Sequence, residues 1–439
     1  MSVQIEEIHI PGARGNVSSP LTWAQRAMWD TLQSLRNDQA RLNTLLTIPV
    51  PPEVGVPAGV RALIQLIEDC ETLRTTYCDT GDQPTQTVIS DYSAHIAIHD
   101  MPPGDGVHEV TEEMLSKRMD YSSAPPVQVA FFARNGALHS VHIVASPLVA
   151  DAAGGAVLRA RYLHNLSQRP STPAVAQPLE RVVYESSQAG RDANSKGIAH
   201  WKNRLSGLSS PLIPSASKGG SKDSLPHFTL RSPAVLSSVD RFAIQTRSLR
   251  SAIYYGVLAR RLCSRFDVPQ CILPVMSSNR NNNSTDDYAG ILAQRSIALF
   301  DSTSEDGIVG SRSANREILR SLQNGAYDPV ERNSVEQSIG SLRGHDADDF
   351  LYHANFLSEP RELDAMSRPP VNGRCHGSAE LEEDPPVSRS NLHFWIQFLE
   401  TQSDVQISMF ANPSCFTSTE TQDFLMLLER DLTTLTCGS

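Results

Sequence analysis

Residues 138–155, LHSVHIVASPLVADAAGG, decide the fold prediction for this chain of 439 residues. The first eight of them are mostly apolar, which is typical of a buried β-strand. The strand breaks at Pro147, an acidic residue follows at Asp151, and a run of small residues leads into a predicted helix. Because a strand that ends in a bend before a helix can place side chains at the mouth of a cleft, we expect a functional site at this bend.

The same stretch belongs to a predicted β-hairpin. Residues 127–134 and 138–145 are both strand-like, and Asn135-Gly136 between them is the strongest short signal for a hairpin turn. Strand and helix patterns are mixed in both halves of the chain, which predicts an α/β or α+β fold of two lobes. We place the domain boundary so that residues 1–190 and 191–439 form the two lobes, and we expect ligands to bind in the crevice between them.

Composition and charge exclude several classes of function. The formal net charge of −11 argues against a nucleic-acid-binding or anionic-membrane surface. The seven cysteines are an odd number without C-x-x-C spacing, so we expect reduced thiols and no disulfide framework or zinc site. The sequence has no signal-peptide pattern and no apolar run of about 20 residues, and we therefore expect a soluble, cytoplasmic protein.

Short motifs follow one another along the N-terminal half. Residues 21–29, LTWAQRAMW, are similar to the motif S-x-A-Q-x-R-L-W. Residues 71–77, ETLRTTY, are similar to E-x-L-R-T-x-F, and Gly81, Pro84 and Gln86 then resemble the motif G-x-P-x-Q.

Further motifs extend this series to the end of the chain. They are similar to F-D-L…P-P-L, Y-W-x-x-x-L, N-R…V-G and a turn before the last helix. They lie at residues 120–121, 125–127, 200–205, 278–280, 290 and 413–416. In order and spacing the whole series resembles the condensation domains of nonribosomal peptide synthetases.

The resemblance implies two chloramphenicol-acetyltransferase-like lobes set in a V, with a central tunnel. It also implies that a donor acyl or aminoacyl thioester is joined there to an amine or hydroxyl acceptor. The donor would arrive on the phosphopantetheine of a partner acyl or peptidyl carrier protein, so no cofactor of the chain's own and no metal are implied. In that family the motif H-H-x-x-x-D-G follows the hairpin strand, and its second histidine positions or deprotonates the acceptor.

The chain departs from the family at this motif. Aligned on Asp151, it has Ser146 and Pro147 where the family has two histidines, and Ala152 where the family has glycine. Histidine, with a pKa of about 6.5, suits proton transfer at neutral pH, whereas proline has no proton to exchange. The usual histidine-assisted step therefore cannot run from this position. We expect Ser146 to fill space, because no G-x-S-x-G elbow surrounds it.

The other candidate site residues have a simpler interpretation beside the functional one. The resemblance gives Asp151 a structural role, with Arg74 as its ion-pair partner, and an N-cap of the next helix is a compatible alternative. Six residues are candidates for the tunnel lining. For His142 a hydrogen-bonded strand histidine, and for Trp201 a packing residue, is the favoured interpretation, and a surface salt bridge is the alternative for Arg280. They are His142, Trp201, Asn279, Arg280, His353 and His393.

Two functions fit these observations. The first is a free-standing condensation-type acyltransferase of nonribosomal-peptide or antibiotic biosynthesis that joins its two substrates by proximity, without the motif histidine. The second is a catalytically inactive relative that docks carrier proteins or recruits tailoring enzymes. We expect no adenylation or carrier segment in either case, and we favour the enzyme because the other motifs are retained.

Overall fold

A computed structural model divides the chain into two units, which we describe separately. The first comprises Met1–Asn194 and Ser278–Gln294, and the second comprises Ser195–Ser277 and Arg295–Ser439. A single boundary near residue 190 was predicted, and the structure additionally assigns a later segment to the first unit. The structure describes residues 2–11, 15–79, 81, 83–100, 106–167, 176–213, 222–280, 283–302, 308–343, 352–358, 378–390 and 392–435.

The first unit is a mixture of strands and helices. Its strands are β1 (Ser2–Ile10), β2 (Val17–Pro20), β3 (Thr44–Pro49), β4 (Thr75–Asp79), β5 (Pro84–Val88), β6 (Tyr92–Asp100), β7 (Val127–Arg134) and β8 (Ala137–Ala145). Its helices are α1 (Trp23–Leu35), α2 (Val56–Asp69), α3 (Gly106–Ser116), α4 (Ala152–Leu166) and α5 (Pro178–Ser186), and α6 (Gln188–Gly207) leads into the second unit. Arg36–Leu42 and Glu71–Arg74 form 3-10 helices, and Asn283–Asp286 forms one helical turn.

The main sheet of the first unit has the order β1-β6-β7-β8-β3, and β2-β5-β4 form a smaller sheet. In the main sheet only the β6–β7 pair is parallel. The predicted hairpin is present, because Asn135 (φ 52°) and Gly136 (φ 79°) join β7 to β8. Two successive residues with positive φ are what a type I′ turn requires, and this turn matches the twist of paired strands.

Helices pack on both faces of this sheet. On α2, Val60, Leu63 and Ile67 recur at helical spacing and are buried in the core. Helix α4 contributes Leu158 and Tyr162 to the same core. Helix α3 contacts the opposite face, where Thr111 approaches a strand histidine. The end of the hairpin strand β8 is therefore buried on both faces, next to the bend that follows it.

The second unit repeats this mixture. Its strands are β9 (Lys222–Ser232), β10 (Gln270–Ser277), β11 (Gln294–Asp301), β12 (Tyr352–Ser358), β13 (Glu380–Ser390), β14 (Phe394–Glu400) and β15 (Val405–Ala411). Its helices are α7 (Pro233–Thr246), α8 (Arg250–Phe266), α9 (Ile308–Gln323), α10 (Pro329–Arg343) and α11 (Ser418–Thr433). The five-stranded sheet has the order β12-β14-β15-β9-β13, and β10 pairs with β11. The predicted mixed α/β fold is confirmed.

Three further findings concern membrane-spanning helices, cysteines and metal ligands. None of the helices within the described ranges has both the length and the apolar character needed to cross a bilayer. Five cysteines (Cys70, Cys78, Cys263, Cys271 and Cys415) are free thiols, while Cys375 and Cys437 lie outside the described residues. No group of metal-ligating side chains occurs in the part of the chain that the structure describes.

Candidate functional site

The bend that connects β8 to α4 is the centre of the candidate site. The strand ends at Ala145, Asp151 is the N-cap residue, and the helix begins at Ala152. The N–H of Val149 donates to the carbonyl of Ser146 (2.9 Å), which closes a tight turn over residues 146–149. The N–H of Ser146 donates to the carbonyl of Pro126 (3.0 Å). The first residue of the turn is thus tied to the segment that leads into β7.

Asp151 anchors the end of this turn with both carboxylate oxygens. Its Oδ1 accepts a hydrogen bond from the N–H of Gly154 (2.8 Å), which is the predicted N-cap. Its Oδ2 accepts from Nη1 of Arg280 (2.8 Å) and from the N–H groups of Leu292 (2.9 Å) and Ala293 (2.8 Å). These four hydrogen bonds connect the start of α4 to Arg280 and to the backbone at Leu292 and Ala293.

The predicted ion-pair partner of Asp151 is wrong. Arg280 forms the ion pair, and the two side chains are only 8% (Arg280) and 11% (Asp151) exposed. Arg74 instead donates from Nη1 to the carbonyl of Ile89 (2.8 Å), since the 3-10 helix at Glu71–Arg74 directs it toward the end of β5. The alternative of a surface salt bridge for Arg280 is also wrong, because most of the surface of both side chains is covered.

The segment Ser278–Gln294 holds this ion pair against the start of α4. Arg280 donates from Nη2 to the carbonyls of Tyr288 (3.2 Å) and Gly290 (2.9 Å), and Asn279 donates from Nδ2 to the carbonyl of Leu292 (2.9 Å). Asn279 is 6% exposed and has a positive φ of 53°, a conformation that asparagine tolerates better than most residues. Asn279 and Arg280 therefore shape the loop around Asp151.

Ser146 and Pro147 are the two residues that the motif resemblance aligns with histidines. Ser146 has no exposed surface, and its Oγ accepts a hydrogen bond from the N–H of Leu148 (3.3 Å). Burial raises the pKa of Tyr121, while the hydrogen bond between its hydroxyl and Ser146 acts in the opposite direction. Pro147 is buried and has no exchangeable proton. Both side chains are therefore packed in the interior of the turn.

Sequence reasoning missed two hydroxyl groups that brace the same turn. The hydroxyl of Tyr77 donates to the carbonyl of Leu148 (3.2 Å), and Thr72 Oγ1 donates to the carbonyl of Val149. Both donors are buried and belong to the 71–77 motif. The hydroxyl residues of this motif, ETLRTTY, were the available signal, but the sequence could not show which carbonyls the hydroxyls meet.

Two of the candidate residues, His142 and Trp201, have well-defined packing roles. His142 lies beneath α3, where its Nδ1 is 3.0 Å from Thr111 Oγ1 and its ring meets Phe132 edge-on. Burial lowers the pKa of His142. Trp201, in the second unit, is 1% exposed and packs among the apolar residues of a separate core cluster. The guanidinium of Arg332 lies 5.0 Å from the centre of its ring.

The remaining two histidines also lie in the second unit. His353 is on β12, opposite Trp395 of the parallel strand β14. Burial, and then the charge of Arg295, lowers the pKa of His353 to about 4. His393 immediately precedes β14 and is 3% exposed. The structure therefore brings together Ser146, Pro147, Asp151, Asn279 and Arg280 within the first unit, while Arg74 and His142 make other contacts in that unit.

Comparison with known proteins adds a wider context. No protein-family model matches the chain. Over 207 residues the chain is 24% identical to CymA of Salinispora arenicola (strain CNS-205), a probable nonribosomal peptide synthetase. This alignment covers 43% of the chain but only 2% of CymA, so the chain spans a very small part of that relative.

Solved structures match over nearly the full length of the chain. The condensation domain of the monacolin K polyketide synthase MokA superposes with a TM-score of 0.73 and 12% identity, covering 96% of this chain and 98% of that one. A variant of the starter condensation domain of the rhizomide synthetase RzmA, in complex with C8-CoA, superposes with a TM-score of 0.69 and 15% identity. That match covers 95% of each chain, so the likeness extends over both units.

Proposed function

We propose that this chain, which belongs by its fold to the condensation-domain superfamily, is a condensation-type acyltransferase that uses a carrier-bound thioester without a motif histidine. One observation carries the proposal: the turn at residues 146–151 keeps its anchors although both imidazoles are absent. A turn that only ended a strand would not need an ion pair and two side-chain hydroxyls to hold its shape. We infer that its shape still serves to position a substrate.

The proposed reaction needs no acid or base from this turn. The lone pair of a neutral amine attacks the thioester carbonyl, an amide C–N bond forms, and the C–S bond breaks to release the carrier thiol. The proton that the amine loses passes to solvent or to the departing thiolate. Correct placement of two bound reactants can lower the activation free energy by several kcal/mol, provided that the amine arrives unprotonated.

A carrier-protein partner is proposed by analogy with the similar proteins. The RzmA domain was solved with C8-CoA, which is an acyl thioester, and CymA is a probable peptide synthetase. By analogy we propose an acyl or peptidyl carrier protein as the donor of this chain, with an amine or hydroxyl compound as the acceptor. We further propose that the chain takes part in secondary-metabolite biosynthesis in the cytoplasm.

Intact-protein mass spectrometry tests this function directly. Acyl-loaded carrier protein would be mixed with a panel of amines and alcohols, and the loss of the acyl group and the formation of product would be followed. We expect turnover by the natural chain and faster turnover by Pro147→His, because the variant restores an imidazole. Pro413→His is the matched control, since Pro413 is exposed and lies in a turn of the second unit. Absence of product with every acceptor tested would overturn the proposal.

A non-catalytic docking protein is the second candidate. The complete burial of Ser146 and the burial of Pro147 favour it, because neither side chain offers a reactive atom to a substrate. Binding of a fluorescent carrier protein, measured by polarisation beside the turnover assay, separates the two candidates. Tight binding without turnover supports docking, whereas turnover supports the enzyme.

A further inference from the structure

A groove of about 760 Å³ opens within the first unit where two strands of the main sheet separate. β6 and β7 pair from Ile96 and Val129 onward. Before that point Tyr92 and His95 of β6 are paired with β1, and Val127 of β7 is paired with β8. In the described part of the chain no strand pair joins β6 to β7 at this end. The volume lies within the range of small-molecule sites.

One half of the groove is apolar and lies on the core face of the sheet. Val129 is paired with Ile143 and with Ile96, and directly paired residues share a face. Ile143 belongs to the core cluster, as do Leu63 and Ile67 of α2, and both helix residues line the groove. An alkyl or aryl group can therefore be buried in this half at a favourable transfer free energy.

The other half is polar and lies on the α3 face. It is lined by His95 and His99 of β6, by Gln128 of β7 and by Glu113 of α3. His99 is 7% exposed, and its Nδ1 has no hydrogen-bond partner among the described residues. An unsatisfied buried nitrogen is costly, so a ligand that supplies a hydrogen bond to His99 would relieve that cost.

The charges at the groove favour a cation. Asp91, Glu113 and Lys117 line it, which leaves one more negative charge than positive. Asp91 is near His9 (3.5 Å), whereas Glu113 takes part in no ion pair among the described residues. Burial lowers the pKa of His99, although the charge of Glu113 opposes this shift, so burial favours the neutral form of the histidine. The side chain of Glu113 is thus an available counter-ion.

We propose that this groove binds an amine that carries an apolar substituent. The apolar group lies against Leu63, Ile67 and Ile143, and the ammonium faces Glu113. This site is separate from the turn at residues 146–151, because Ser146, Pro147 and Asp151 do not line the groove. The inference therefore does not depend on the proposed condensation activity.

Three six-carbon probes of equal length test the inference on the full chain. Hexylamine, hexan-1-ol and hexanoate would be titrated by calorimetry, with protein-observed NMR as the second measurement. We expect hexylamine to bind most tightly and hexanoate least tightly, because the charge of the groove attracts the first and repels the second. Resonances of β6 and β7 should shift on addition of the amine.

Two substitutions on α3 test whether Glu113 supplies the negative charge that attracts the amine. Glu113→Gln should weaken hexylamine binding about threefold, in keeping with an exposed charge pair, while leaving hexan-1-ol binding unchanged. Glu109→Gln is the matched control, since Glu109 is exposed on the same helix but does not line the groove. Ala97→Phe fills the groove from β6 and should abolish binding of all three probes.

Three results would overturn the inference. They are no binding of hexylamine, equal binding of hexylamine and hexanoate, or equal effects of Glu113→Gln and Glu109→Gln. Circular dichroism of each variant would confirm that the fold is retained. If Ala97→Phe does not fold, the two glutamate variants still decide the outcome.

Discussion

Asp151 and Arg280 are 129 residues apart in sequence, and their side chains meet at 2.8 Å in the interior of the first unit. This contact joins the N-terminus of α4 to the segment Ser278–Gln294. A buried carboxylate needs hydrogen-bond donors on all sides, and here the guanidinium supplies one while the N–H groups of Gly154, Leu292 and Ala293 supply the rest. The pair therefore fixes where the turn at residues 146–151 ends.

Arg280→Met is expected to destabilise the chain strongly. It leaves the carboxylate of Asp151 buried without its counter-ion, and breaking a buried pair in this way costs about 3–5 kcal/mol. Arg26→Met is the control, because the pair between Arg26 and Asp30 is partly exposed and should be worth at most about 1 kcal/mol. Urea unfolding followed by circular dichroism gives both values, and similar losses in the two variants would contradict the prediction.

A double variant sharpens this test. Asp151→Asn combined with Arg280→Met removes both charges, so the combined loss should be smaller than the sum of the two single losses. Additive losses would show that the two side chains do not interact in solution.

The two glycines at the start of α4 are expected to respond to alanine with opposite signs. A Cβ at Gly154 would lie 2.5 Å from the carbonyl oxygen of Gly290 and 2.6 Å from that of Ala289, so Gly154→Ala should cost about 2 kcal/mol or more. A Cβ at Gly155 would meet only Leu46, at 4.0 Å, so Gly155→Ala should stabilise the helix by about 0.5–1 kcal/mol. Thermal unfolding measures both changes in stability. If the two substitutions change stability in the same direction, the close approach of Gly154 to the carbonyls of Ala289 and Gly290 is refuted.

Ser146→Ala separates a structural role of this residue from a role in the proposed reaction. The substitution removes the acceptor of the Leu148 N–H, and we expect a loss of about 1–2 kcal/mol in the free energy of unfolding. Ser34→Ala, which alters an exposed hydroxyl on α1, should have a much smaller effect. In the carrier assay the rate per folded molecule should be unchanged by Ser146→Ala. A large fall in that rate without a fall in stability would indicate that Ser146 takes part in the reaction.

Local patterns predicted the features that depend on neighbouring residues. The hairpin follows from Asn135-Gly136, because few dipeptides tolerate two positive φ values. The end of β8 follows from Pro147, and the N-cap follows from Asp151 before a run of small residues. Each of these features is decided within a few residues, so the sequence is sufficient to predict it.

The errors arose where a contact joins distant segments. Arg74 and Arg280 both carry a guanidinium group that could pair with Asp151. Arg280 forms the ion pair because the segment Ser278–Gln294 belongs to the first unit, which the sequence does not reveal. The groove between β6 and β7 was likewise not predictable, because it depends on where two strands from different parts of the chain begin to pair. Propensity and periodicity describe single elements and contain no information about such pairing.

Acidic pH is expected to lower the stability of the chain through His353. Burial and the charge of Arg295 hold the pKa of His353 at about 4, whereas the same residue in the unfolded chain has a pKa of about 6.5. Between these two values only the unfolded chain takes up the proton, so the free energy of unfolding falls as the pH is lowered through this window. The full shift corresponds to at most about 3 kcal/mol, most of which is lost by about pH 4.

Comparing the natural chain with His353→Gln at pH 7 and pH 4.5 isolates this contribution. His99, His142 and His200, whose pKa values are also lowered by burial, remain in both proteins and cancel in the difference. Urea unfolding should show a smaller loss on acidification for His353→Gln than for the natural chain. His139→Gln replaces an exposed strand histidine and should lose as much stability as the natural chain. If His353→Gln also loses as much, the pKa of His353 is not lowered in the folded protein.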